Sequence, residues 1–391
     1  MNDCRMHWIP MRMLVAVAVV SGLLCGRPGI AQQPSNRRTA SVHAAIPQMP
    51  RFRFQNFTTE NGLPDNHVYA VLVDGDRIWA GTDNGLGLYE HGKWKVFTTK
   101  DGLAHRAVLS LAVDKRTGDV WAGTMGGLSR ISAGRIDSYT QLNSGLSNNI
   151  VYGVAVEGEN VWVATAAGAC RLNLRTGAWT LYNERNTPMR EIWVYGVSAQ
   201  ADKVYFAVWG SGLLELTQQS DRWDLYDDPD HETELVLFKN QGLIHDVVSS
   251  VSYVDRTVWA STYFGDSQYD GRYWHNFLTK DSGLPSNFTN YVKGVDANHA
   301  WFCTDKGLAY YDGVNWAVYT PSIPTGRPEM WVRDSRGRVT QIPVSTAPAN
   351  NYILGIDFQG DDIWVATAKG LSHGIRQQST LSKPLPKEPL K

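Results

Sequence analysis

Cysteine is scarce, charge is nearly balanced, and no apolar run is long enough to cross a bilayer. The 391-residue chain has four cysteines, and two of them, Cys4 and Cys25, fall within the first thirty residues. Lys and Arg total 37 against 38 Asp and Glu, for a formal net charge of −1. That balance leaves no basic footprint for nucleic acid, which excludes DNA and RNA as expected partners. The longest apolar stretch, 13–24, is twelve residues, short of the roughly 20 a spanning helix requires. Arg5 and Arg12 precede it and Gly29-Ile30-Ala31 follows, so residues 1–31 read as an export leader. The mature chain then has no transmembrane segment and is expected in the periplasm or outside the cell. Lipidation at Cys25 is disfavoured because Leu24 sits where a small residue is needed. His-Glu-x-x-His, Cys-x-x-Cys and a phosphate loop are all missing. No catalytic residue, cofactor or metal ligand is therefore assigned.

What the chain has in quantity is glycine (36), tryptophan (15) and a repeat. A Gly-Leu turn, an apolar run, a short loop and then an apolar residue, Trp and small residues recur along it. The repeat marks are Trp79, Trp121, Trp162, Tyr205, Trp259, Trp301 and Trp364. They are spaced 41–43 residues apart, apart from stretched intervals of 54 and 63, so seven units are present with two insertions. Each unit holds four short β-type segments punctuated by Gly, Asp and Asn. The first segment is apolar on both faces, as a sheet packed between two neighbours requires. The fold class is all-β, a seven-bladed β-propeller of four-stranded blades. Cys170 and Cys303 lie three blades apart, too far for a bridge that needs Cα atoms within about 7 Å. They read as buried free thiols.

The fourth segment carries an aromatic or apolar residue followed three places later by Phe or Tyr. Six copies run from Trp94…Phe97 to Trp316…Tyr319, and the seventh is at the other end of the chain, Phe54-Gln55-Asn56-Phe57. An N-terminal strand that completes the last blade buries both ends of the array, which otherwise leaves strand edges and apolar faces exposed. The expected layout is a leader at 1–31, a linker at 32–51, the propeller at 52–375 and a disordered polar, Pro-rich tail at 376–391.

These units resemble the two-component regulator propeller repeats of bacterial sensor proteins. The match rests on Gly62-Leu63-Pro64-Asp65-Asn66-His67-Val68 followed by Ile78-Trp79-Ala80-Gly81-Thr82-Asp83-Asn84-Gly85-Leu86. Close copies are Val120-Trp121-Ala122-Gly123-Thr124-Met125-Gly126-Gly127-Leu128 and Gly145-Leu146-Ser147-Asn148-Asn149-Ile150-Val151. Blade 4 departs from the pattern, with Asn186-Thr187-Pro188-Met189 in place of the Gly-Leu turn. The resemblance implies a sensor-type propeller, here without a kinase or transmembrane region, so signalling would need a separate membrane sensor as partner.

Loops between blades and loops between second and third strands share one propeller face, and such rigidly held loops carry function. Ligand or partner binding is expected there, on Asn66, His105, Arg106, Asn149, Arg190, Trp209, His245, Tyr263, Phe264, Asn287, Trp331 and Asn351. The aromatic members suit a sugar ring or a peptide anchor. The asparagines form either a ligand-binding ring or plain turns. Both insertions, 227–240 and 321–347, join blades and so fall on this face, and the second reads as a hairpin suited to docking. The acidic stretch Asp227, Asp228, Asp230, His231, Glu232, Glu234 lacks the spacing of a calcium loop and reads as a solvated loop. The leading function is a recognition or sensor module for a glycan, a small molecule or an extracytoplasmic protein. The alternatives are a lyase or hydrolase using His105 and His245 at the channel mouth, or a structural subunit of an extracytoplasmic assembly.

Overall fold

The computed structural model describes residues 46–231, 238–322 and 325–377. The leader, Cys25, most of the linker, Glu232, Glu234 and all but the start of the tail lie outside the described residues. Seven blades surround an axis, each built on four antiparallel strands, with two more added in blade 6. In blade 1 these are Val68–Asp74, Arg77–Thr82, Gly85–Glu90 and Lys93–Phe97. The first strands of successive blades are neighbours all the way round, so they line the axis.

The repeated sequence marks have local causes. In Thr58-Thr59-Glu60-Asn61-Gly62-Leu63 the Asn61 side chain accepts the Thr58 backbone N–H at 2.9 Å and closes a single capped turn. Gly62 ends that turn at φ 97°, a left-handed conformation that costs a side-chain-bearing residue. Thr98-Thr99-Lys100-Asp101-Gly102-Leu103 repeats the device. The buried threonine after each second-strand Trp has a similar duty. Thr82 Oγ1 donates to the Gly85 carbonyl at 2.8 Å and accepts the Asn84 N–H, which fixes the tight turn between second and third strands. Five other blades repeat the first of these bonds.

The core is a set of layers between blades rather than one central mass. Trp121, Trp162 and Trp259 are completely buried in it, and both cysteines are buried and free. The N-terminal strand Phe52–Phe57 pairs antiparallel with Gly370–Arg376, from Phe52 opposite Arg376 to Phe57 opposite Leu371. Phe52 and Phe54 pack edge-on against Tyr319 of blade 6, while Phe57 stacks on Trp364 and meets Trp94 of blade 1. One strand thus joins three blades, and burying each Phe contributes about 1.5–3 kcal/mol.

Blade 6 corrects the expectation of a docking arm. The inserted strands Pro328–Arg333 and Val339–Ile342 extend its sheet from four strands to six, Trp316–Pro321 pairing with the first of them. Met330, Val332 and Ile342 are buried in the same cluster as Phe52, Phe54 and Tyr319. The chain beyond the hairpin then runs beside the closing strand, where Thr346 Oγ1 accepts the Phe54 N–H at 2.8 Å. Alternating apolar residues on the insertion have a core to enter, so it packs as structure.

Candidate functional site

In every blade the register slips by one residue near the start of the first strand, a β-bulge. In blade 1 the pairing jumps from Val68 to Ala70, leaving Tyr69 out of the ladder. Bulges of this kind re-aim a side chain. The bulge residues of blades 3 and 4 are Tyr152 and Tyr195, whose rings stack at 4.6 Å across the blade boundary. Tyr195 also meets Trp209 at 5.3 Å, Trp209 meets Tyr263 edge-on at 5.3 Å, and Tyr263 stacks on Phe288 at 3.9 Å. A continuous aromatic arc therefore runs from blade 3 to blade 6 over the channel mouth.

The arc is charge-poor and hydroxyl-rich. Burial, with the neighbouring Tyr152 phenol, pushes the Tyr195 hydroxyl up to about 12. Burial first, and then the phenols of Tyr195, Tyr352 and Tyr152, raise Tyr263. Phenols from three other blades thus lie within electrostatic reach of Tyr263. Around the arc Trp193 is 50% exposed, Phe264 39% and Tyr352 36%. These three exposed rings all lie on the loop face that carries the arc.

Several expected residues have structural partners. Asn66, Asn149 and Asn287 accept the backbone N–H groups of Thr59, Gln141 and Thr279 at 2.8–2.9 Å, which ties down the loops between blades. His105 Nδ1 and His245 Nδ1 accept the N–H groups of Ala107 and Val247, the turn contact that Asp65 and Asn148 make in blades 1 and 3. Burial lowers the pKa of both histidines, and Nδ1 of each is occupied by its turn contact. His245 also stacks on Phe264 at 4.0 Å. Arg106 bonds the Asp83 carbonyl at 3.0 Å, and Arg190 pairs with Asp227 at 2.5 Å. Trp331 lies on the added strand of blade 6, packed against the Trp259, Phe302 and Trp316 cluster and away from the mouth. Asn351 precedes the first strand of blade 7, beside Tyr352 at the mouth.

The acidic stretch is not simply solvated. Asp228 is buried, and burial with the nearby Asp230 and Asp246 charges pushes its carboxyl up to about 6. Its N–H donates to Asp246 at 2.7 Å, and His231 Nδ1 lies 3.0 Å from the same carboxylate. The insertion is thereby pinned beside the blade 4 turn, whose Gly210 and Gly212 N–H groups donate to the Asp246 carbonyl.

Sequence reasoning found Trp209, Tyr263 and Phe264 but missed Tyr69, Tyr152, Trp193, Tyr195, Phe288 and Tyr352. Three of these are bulge residues inside apolar runs. The others precede first strands, where an aromatic recurs in blades 4, 6 and 7.

Residues 62–84 match the family described as two component regulator propeller. The chain carries that propeller repeat. No curated protein matches it. Among solved structures, the propeller is similar to extracellular domains of two hybrid two-component systems from B. thetaiotaomicron. The first has a TM-score of 0.60 at 17% identity, over 83% of this chain and 42% of that one. The second has a TM-score of 0.59 at 20% identity, over 82% and 39%. The propeller thus spans about two fifths of each. Virginiamycin B lyase from Staphylococcus aureus has a TM-score of 0.58 at 15% identity, over 83% of this chain and 99% of that one. Likeness at these identities establishes a common fold.

Proposed function

We propose that the propeller is a periplasmic or extracellular recognition module that binds a glycan at its channel mouth, as a sensor component acting with a membrane sensor or another extracytoplasmic protein. The aromatic arc is the observation that carries this reading. Ring faces stack on the apolar faces of sugars, and converging phenol hydroxyls supply donors and acceptors for sugar hydroxyls. The apolar leader segment and the extracellular origin of the propellers of similar fold support the location. The occupied Nδ1 atoms of His105 and His245 favour binding over a histidine-based lyase.

Calorimetric titration with a panel of soluble oligosaccharides tests the proposal. At least one should bind, and Trp193→Ala with Tyr352→Ala should weaken it by about tenfold or more, the loss of roughly two stacking contacts. Unchanged affinity in that double variant, with melting intact, would remove the mouth from consideration.

A further inference from the structure

Two of the seven turns between second and third strands begin with a carboxylate, Asp83 in blade 1 and Asp305 in blade 6. Both follow the buried threonine of the turn, and both donate their N–H to the residue before their blade's first strand, His67 at 3.1 Å and Phe288 at 3.3 Å. Their side chains fare differently. Arg106, two residues before the next first strand, comes within 3.5 Å of the Asp83 carboxylate. The corresponding residue beside Asp305 is Asn351, which brings no charge. Asp305 Oδ1 is buried and has no hydrogen-bond partner among the described residues. Lys306 is exposed and makes no ion pair with it among those residues.

Asp305 stands beside the aromatic mouth. Its backbone bonds to Phe288, whose ring stacks on Tyr263. Its charge reaches the Tyr352 phenol. A buried acceptor with no donor is costly to keep, and a cation beside aromatic faces is the group that relieves it best. We propose that Asp305 selects ligands bearing a protonated amine, so that within the glycan class the mouth prefers an amino sugar. The sugar ring lies on the aromatic arc and the ammonium takes the place at Asp305 that Arg106 takes at Asp83. The identification of the sugar rests on the reading of the mouth given above; the amine site does not.

Four probes test this on the intact chain by calorimetry at pH 6: the β-1,4 tetramers of glucosamine, N-acetylglucosamine and glucose, and benzylamine. Glucosamine tetramer should bind about tenfold tighter than either neutral tetramer, the scale of one charge-assisted contact. Asp305→Asn should erase that preference without lowering the melting temperature, while Asp83→Asn should keep it. Equal affinity for all three tetramers, or a preference that survives in Asp305→Asn, overturns the proposal while leaving a glycan site. Benzylamine binding that depends on Asp305, with no tetramer bound, upholds the amine site and removes the glycan reading. Failure of all four probes removes both.

Discussion

Asp266 offers a quantitative test of how the blades are held together. The residue after the turn glycine is Leu86, Leu128, Ala169, Leu213, Leu308 and Leu371 in six blades, and in blade 5 it is Asp266, fully buried. The residue opening the next first strand is Val or Ile elsewhere, but in blade 6 it is Thr289, whose hydroxyl donates to Asp266 at 2.9 Å. Two substitutions in contact have thus exchanged an apolar pair for a polar one. The Ser261 and Thr289 hydroxyls do not offset the burial of a charge, and burial pushes the Asp266 carboxyl up to about 8 from 3.8. The folded protein therefore holds a proton that the unfolded chain releases.

Between those two values the native state binds more protons than the unfolded state, so stability falls as pH rises. The slope is about 1.4 kcal/mol per pH unit, or about 2.7 kcal/mol between pH 5 and pH 7. Burial lowers the pKa of His67, His105 and His245, which gives the opposite slope over part of that range. The informative quantity is thus the difference between wild type and Asp266→Asn, in which the histidines cancel. Urea unfolding at pH 5, 6 and 7 should show wild type losing ground to the variant by that amount. A difference that stays flat with pH would refute the idea of a neutral buried acid.

Two further outcomes follow from the packing. Phe54→Ala should cost about 3–5 kcal/mol in urea unfolding, because the ring is 5% exposed between blades 6 and 7; a loss under about 1 kcal/mol would mean the closing strand contributes little. Cys170 and Cys303 are buried with thiols raised by burial, so a thiol reagent should label neither in the native protein and both in urea. Prompt native labelling would show that these layers open readily.

The repeat was legible because six of the seven blades use the same Trp, Thr and Gly to solve one backbone problem. Closure was legible because Phe54-Gln55-Asn56-Phe57 copies a fourth strand that the last repeat lacks. The bulges were not. A one-residue slip inside an apolar run leaves no trace in composition, so nothing in the sequence sets Tyr152 and Tyr195 apart from the rest of the run. The hairpin was recognised, yet its destination was missed, since alternation says that one face is buried without saying against what. His105 and His245 show the reverse error. Loop histidines look chemical in sequence, but at their turn position an acceptor atom is needed, and Asp, Asn and Ser fill the same place in other blades.

Closure by the N-terminal strand also orients the mouth. A third strand runs away from the turn that precedes it, so Gly370–Arg376 ends on the face opposite the aromatic arc. Phe52 begins beside it there, and the contact continues one step outward, Gln377 donating its N–H to the Arg51 carbonyl at 2.7 Å. The chain thus enters and leaves blade 7 side by side on the face opposite the arc. Immobilising the protein through either terminus should leave its affinity for a mouth ligand within about twofold of the free value, because nothing at the arc is touched. A bulky maleimide on Ala368→Cys, in the blade 7 turn beside Tyr352, should instead weaken binding. If terminal immobilisation were the treatment that abolished binding, the ligand would lie on the opposite face and the arc would be only a lid on the core.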